Sequence, residues 1–128
     1  MADANTPPVV TDFEVEWVDN DGLGLTEGQE HTHGYIHLAN GYTVSLLRSN
    51  VMYETLGFQD GKWEALIGRP AGPLAKLLGM DYEPAPELDH LLKDEVQGTK
   101  IAGNLDGAGI NELATAVAAA PAYDRQSA

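Results

Sequence analysis

The chain contains no cysteine. That excludes disulfides, thiol nucleophiles and cysteine-held zinc or iron–sulfur sites. Positive charge is scarce: 7 Lys and Arg stand against 20 Asp and Glu, a formal net charge of −13. None of those cations precedes Arg48, whereas Asp3, Asp12, Glu14, Glu16, Asp19, Asp21, Glu27 and Glu30 all do. Direct nucleic-acid binding needs cations to displace condensed counterions, so it is not expected. Anionic lipid is disfavoured for the same reason. Aromatic residues make up only 7% of the chain, thin but adequate for a small core. No apolar run approaches the roughly 20 residues of a membrane span. The start, Met1-Ala2-Asp3-Ala4-Asn5-Thr6-Pro7-Pro8, has neither the basic nor the apolar stretch of a signal peptide. A cytoplasmic protein is the expectation.

What is present centres on Ile36-His37-Leu38-Ala39-Asn40-Gly41-Tyr42-Thr43-Val44-Ser45-Leu46. Two runs of strand formers flank an Asn-Gly pair, a strong hairpin signal. A three-residue loop, Ala39-Asn40-Gly41, pairs Leu38 with Tyr42 and Ile36 with Val44, and gathers Ile36, Val44 and Leu46 on one face. A two-residue turn would mix the faces, so the buried side selects the longer loop. Trp63, Ala65 and Ile67 then alternate as a third strand beside Tyr42–Leu46. Before the hairpin, Phe13, Val15 and Trp17 alternate with Glu14 and Glu16, as in a half-buried strand with an acidic wet face.

Past the sheet, Pro73 opens a short helical turn, Leu74-Ala75-Lys76-Leu77-Leu78, that Gly79 stops. Tyr82-Glu83-Pro84-Ala85-Pro86 reads as a stiff connector. A second short helix follows from Pro86, with Leu88, Leu91 and Leu92 on one face. Thr99–Ala102 reads as a fourth short strand. Asp106 caps a last helix with an apolar stripe of Ile110, Leu113, Ala114 and Val117, closed by Pro121. The expected fold is α+β: a small antiparallel meander of about three or four strands, covered on one face by the C-terminal helix and one or two short helices. Residues 1–10 form a flexible arm, 11–121 a single domain and 122–128 a flexible tail.

Two patterns suggest metal. From Asp19, acids fall at positions one (Asp19), three (Asp21), nine (Glu27) and twelve (Glu30) of an EF-hand-like loop, with Gly24 at six. Leu23 at five and Thr26 at eight depart from it, and the flanks do not read as helices. The second pattern is a strand face carrying His31, His33, Tyr35 and His37. His31 and His33 resemble the His-x-His pair of cupins, without the carboxylate that follows it there. A solvated, partly aromatic face is the competing account. The glycines around Asp106 lack the Lys-Ser/Thr of a phosphate loop, so capping explains them better. Ser45 has no Gly-x-Ser-x-Gly context, and no carboxylates pair by spacing, so no enzyme and no cofactor is expected.

The order of motifs resembles small accessory proteins of actinobacterial phages. Their pattern is an Asn-Gly-Tyr-Gly-Val-Ser-Val-Val stretch, then Phe-Glu-Val-Ala, then a capped helix. Here it is matched by Asn40-Gly41-Tyr42-Thr43-Val44-Ser45-Leu46-Leu47, by Trp63-Glu64-Ala65-Leu66, and by Leu105-Asp106 before Ile110 to Ala120. The likeness covers about 36–67 and 96–120; Thr43 replaces a usual glycine, and the leucine-rich turns are an insertion. It implies a phage protein in the host cytoplasm and brings no catalytic residues. The function expected is non-catalytic binding of a host protein, through Glu14, Glu16, Asp19, Asp21, Tyr35 and His37. The alternatives are a metal-binding module on the Asp19–Glu30 loop or the His31/His33/His37 face, and a minor structural protein. A monomer or an edge-paired dimer fits either way.

Overall fold

Gly41, at φ 94°, allows the chain to reverse after Asn40, and the Leu38 amide donates to the Tyr42 carbonyl at 2.9 Å. The three-residue loop therefore forms as the hydrophobic pattern requires. The computed structural model describes residues 12–19, 24–51 and 53–124. The proposed arm, Asp21 and the end of the proposed tail lie outside them.

Strands β2 (His31–His37) and β3 (Thr43–Ser49) pair antiparallel with Ile36 opposite Val44, and β4 (Trp63–Pro70) pairs with β3 with Ile67 opposite Val44. Ile36, Val44, Leu46, Trp63, Ala65 and Ile67 share one buried face. Helix α2 (Gly107–Ala118) covers that face with Ile110, Leu113, Ala114 and Val117, and the Asp106 carboxylate accepts from the Gly109 amide at 2.8 Å as its N-cap. Trp63 is only 1% exposed; its truncation to alanine should cost roughly 3–5 kcal/mol.

The sheet is larger than expected. Among the described residues it has seven strands rather than three or four: β1 (Glu16–Trp17), β5 (Tyr82–Pro84), β6 (Asp94–Val96) and β7 (Thr99–Leu105) join the other three in the order β1-β2-β3-β4-β7-β6, with β5 also paired to β4. The added strands are short. β1 is only Glu16–Trp17, although Phe13, Val15 and Trp17 do alternate with exposed Glu14 and Glu16. β5 (Tyr82–Pro84) occupies the expected connector, and the expected fourth strand runs on as β7 (Thr99–Leu105), paired with β6 (Asp94–Val96). Strands of three residues are too short for alternation to register, and Pro84 reads as a breaker.

Helical cover is also less than expected. The segment Pro86–Leu91 is a 3-10 helix that buries Leu88, with Leu92 buried just after it. α1 (Pro73–Leu77) forms where Pro73 starts it, but buries none of its residues. Tyr123, read as tail, is held: its amide donates to the Asn40 carbonyl at 2.8 Å and its ring lies edge-on to Tyr42. Among the described residues no helix is long and apolar enough to cross a membrane.

Candidate functional site

Alternation in β2 sends His31, His33, Tyr35 and His37 to the face opposite the core. Thr43, Ser45 and Ser49 occupy the same face of β3, and each histidine meets one of these hydroxyls. His31 Nδ1 lies 2.9 Å from Ser49 Oγ, His33 Nε2 lies 2.8 Å from Ser45 Oγ, and His37 Nδ1 lies 3.3 Å from Thr43 Oγ1. The rings run on as a band. His33 and Tyr35 have centroids 4.7 Å apart, Tyr35 and His37 stack at 5.9 Å, and Tyr82 of β5 joins both at 5.7 and 5.8 Å. Tyr82 Oη is 3.2 Å from His37 Nδ1, and Glu16 Oε1 is 3.3 Å from His37 Nε2.

His33, Tyr35 and Tyr82 of this band line a groove, which His31 and His37 do not reach. Its wider end, of about 940 Å³, is lined by Glu16, Tyr35, Leu66, Asp81, Tyr82 and Lys100 among others. A narrower end of about 370 Å³ is lined by His33, Tyr53, Glu64 and Gln97, and the two share Ser45, Leu66 and Thr99. The groove exists because β5 and β7 take successive stretches of the same edge of β4. β7 pairs at Trp63 and Ala65, and β5 at Gly68 to Pro70. The β5 side is braced by Arg69, whose guanidinium binds Glu83 at 2.9 Å and Glu87 at 2.8 Å. The Glu83 carboxylate also accepts from the Gly72 amide, and the Tyr42 hydroxyl donates to Glu87 at 2.8 Å. Burial and that bond raise the Tyr42 hydroxyl to about 12.

At the narrow end Glu64 is 3% exposed. Its Oε2 accepts from the Leu56 amide at 2.8 Å and its Oε1 from the Tyr53 hydroxyl at 3.3 Å. Those two bonds compensate a carboxylate that would otherwise be costly to bury. Burial, with the neighbouring His31, lowers the pKa of His33. At the wide end the Tyr35 hydroxyl is raised by burial, and further by Tyr82, Asp81 and Glu16.

Of the residues expected to act, Glu16, Tyr35 and His37 come together with Tyr82. Glu14 and Asp19 are exposed and do not line the groove. The Asp19–Glu30 loop falls partly outside the described residues. Within the described part, Glu27 is exposed and Glu30 lies 3.5 Å from Arg48. His31 and His33 are neighbours, with ring centroids 6.4 Å apart, while Tyr35 stands between His33 and His37. Among the described residues no three His, Asp or Glu side chains gather as a metal-binding group.

Sequence reasoning missed Tyr82, Asp81, Glu64 and Gln97. The hydroxyls at positions 43, 45 and 49 were the readable signal that the histidine face was polar and internally bonded. A second feature was also missed. Leu74, Leu77, Leu78 and Met80 are exposed beside the groove, whose lining includes Met80. Comparison of the chain with protein-family models, with curated proteins and with solved structures gives no match.

Proposed function

We propose that this is a non-catalytic accessory protein that binds another protein, using α1 as its docking ridge. One observation carries the reading: Leu74 and Leu77 of α1 and Leu78, its C-cap, are 72%, 83% and 70% exposed. Single exposed leucines are ordinary on a protein surface. Three on one turn, continued by Met80, form an apolar patch of the kind that marks an interaction site.

Charge selects the occupant. At −13, two copies repel each other, and the acids Asp81 and Glu83 follow directly on the patch. The partner is accordingly a protein with an apolar groove rimmed by Lys or Arg, which the acidic surface also attracts from a distance. In the setting that the phage resemblance implies, it is a host protein. Exposed Glu14, Glu16 and Asp19 contribute to the field.

The test compares the wild type with a Leu74→Ser/Leu77→Ser/Leu78→Ser variant as bait in actinobacterial lysate. The substituted side chains already face water, so each substitution should change stability by no more than about 0.5 kcal/mol. A stoichiometric partner held by the wild type, lost by the variant and weakened by salt supports the proposal. The same proteins on both baits would sink it. So would a wild-type dimer in sedimentation that the variant does not form, which would make α1 a self-association surface.

A further inference from the structure

We propose that the wide end of the groove binds an organic cation, a guanidinium or alkylated ammonium group, held against the Tyr35 and Tyr82 rings and countered by Glu16, Asp81 and Asp89. The volume, about 940 Å³, is that of a ligand site rather than a packing gap. Two neighbouring rings, Tyr35 and Tyr82, 5.7 Å apart, line it. The negative face of an aromatic ring attracts cations, and more so when solvent is partly excluded.

The charges lining the cavity point the same way. Glu16, Asp81, Glu83 and Asp89 line it, against Arg69 and Lys100. Arg69 is committed to Glu83 and Glu87. Among the charged residues of the lining that leaves Glu16, which also meets His37 Nε2 at 3.3 Å, Asp81 and Asp89 against Lys100. With −13 overall, the field rejects phosphates and carboxylates and concentrates cations. Leu66, Ile67, Pro84 and Leu92 add apolar surface, which suits a cation on a hydrocarbon stem better than a bare ion.

That chemistry has two sources: a free small cation, or an Arg or Lys side chain of a protein segment. Ring proton shifts of Tyr35 and Tyr82 are followed by NMR in the full chain. The probes are N-acetyl-arginine amide, trimethyl-lysine and an Arg-Gly repeat hexapeptide, with N-acetyl-glutamate as the anionic control. Saturable shifts with the cations and none with glutamate are expected. Asp81→Asn and Tyr82→Leu should each weaken binding about tenfold. Asp60→Asn and Glu112→Gln remove the same charge outside the groove and should weaken it less than about twofold. If the single-residue probes bind as tightly as the peptide, the ligand is a free cation; if only the peptide saturates, it is a side chain of a partner.

The proposal is overturned if the cations leave these rings unshifted. It is also overturned if the control substitutions weaken binding as much as Asp81→Asn, because diffuse attraction would then suffice. Asp81 is exposed, so its variant should fold even if Tyr82→Leu does not. The triple serine variant of α1 should still bind the cation. Failure of the docking ridge and failure of the groove are therefore separately visible.

Discussion

The side-chain amide of Asn40 donates to the main-chain carbonyl of Val117 at 2.8 Å and to that of Ala120 at 3.1 Å. The hairpin loop thus caps the C-terminus of a helix 77 residues away. Helices leave their last carbonyls short of intrahelical donors; the Val117 carbonyl accepts from the Ala120 amide at 3.1 Å, and Asn40 adds a second donor while its Oδ1 accepts from the Tyr42 amide in its own turn. Replacing Asn40 by Asp keeps the turn propensity and places a carboxylate against carbonyl oxygens. Asn40→Asp should therefore destabilise more than Asn40→Gly, by roughly 1–3 kcal/mol against about 1 kcal/mol. Urea midpoints at pH 7 test the order; the reverse order would mean that Asn40 acts only through its turn.

Gly34 in β2 is buried for a steric reason. A Cβ there would come within 2.6 Å of Trp17 Cε3 and 2.7 Å of Val15 Cγ1. Gly34→Ala should lift Trp17 from its contact with Trp63, now 5.4 Å between centroids. The expected cost is about 1–3 kcal/mol, with faster amide exchange at residues 13–18. Unchanged exchange there would mean that the strand shifts instead.

His33 supplies a pH dependence at the acid end. Burial holds its pKa below the ordinary 6.5, so on acidification the unfolded chain takes up this proton before the folded one. Its contribution is full above about pH 6.5 and is lost as pH falls from there towards the folded value. The stability difference between wild type and His33→Gln should therefore change between pH 7 and 5 in favour of the variant. A constant difference would mean that His33 titrates alike in both states.

Tyr42 supplies one at the alkaline end. Its hydroxyl, raised to about 12 from 10, stays protonated in the folded state while that of the unfolded chain ionises. Stability from this group is present below pH 10 and lost as pH rises from 10 towards 12. Tyr42→Phe should be less stable at pH 8, where Glu87 loses its hydroxyl donor, and should have a shallower alkaline slope. Parallel slopes would show that other tyrosines dominate.

Gln97 has φ 51° in the two-residue turn that joins β6 to β7, followed by Gly98 at φ 82°. Turns of this kind favour Asn or Gly at the first position. Gln97→Asn should stabilise by about 0.5 kcal/mol, read as a rise in thermal midpoint. A fall would show that the glutamine side chain makes a compensating contact at the groove rim.

Local chemistry in the sequence determined the hairpin, its register, the third strand and the capped final helix. In each, a turn or cap residue sits beside a long apolar repeat: Asn40-Gly41 beside Ile36 and Val44, Asp106 beside Ile110 and Leu113. The same alternation put His31, His33, Tyr35 and His37 on one face. Only the tertiary structure decided what those residues meet. Tyr82 reaches Tyr35 because β5 pairs with the end of β4, and nothing in a three-residue segment holding a proline announces that pairing. The leucines of α1 show the opposite failure. Their segment reads as a short helical turn that could help cover the sheet, and spacing is blind to whether another element lies opposite. β4 carries β5 and β7 along one edge and α2 covers the core face, so α1 is left with its leucines in water. Periodicity states which side chains share a face; the packing of distant segments decides whether that face is core, groove or ridge.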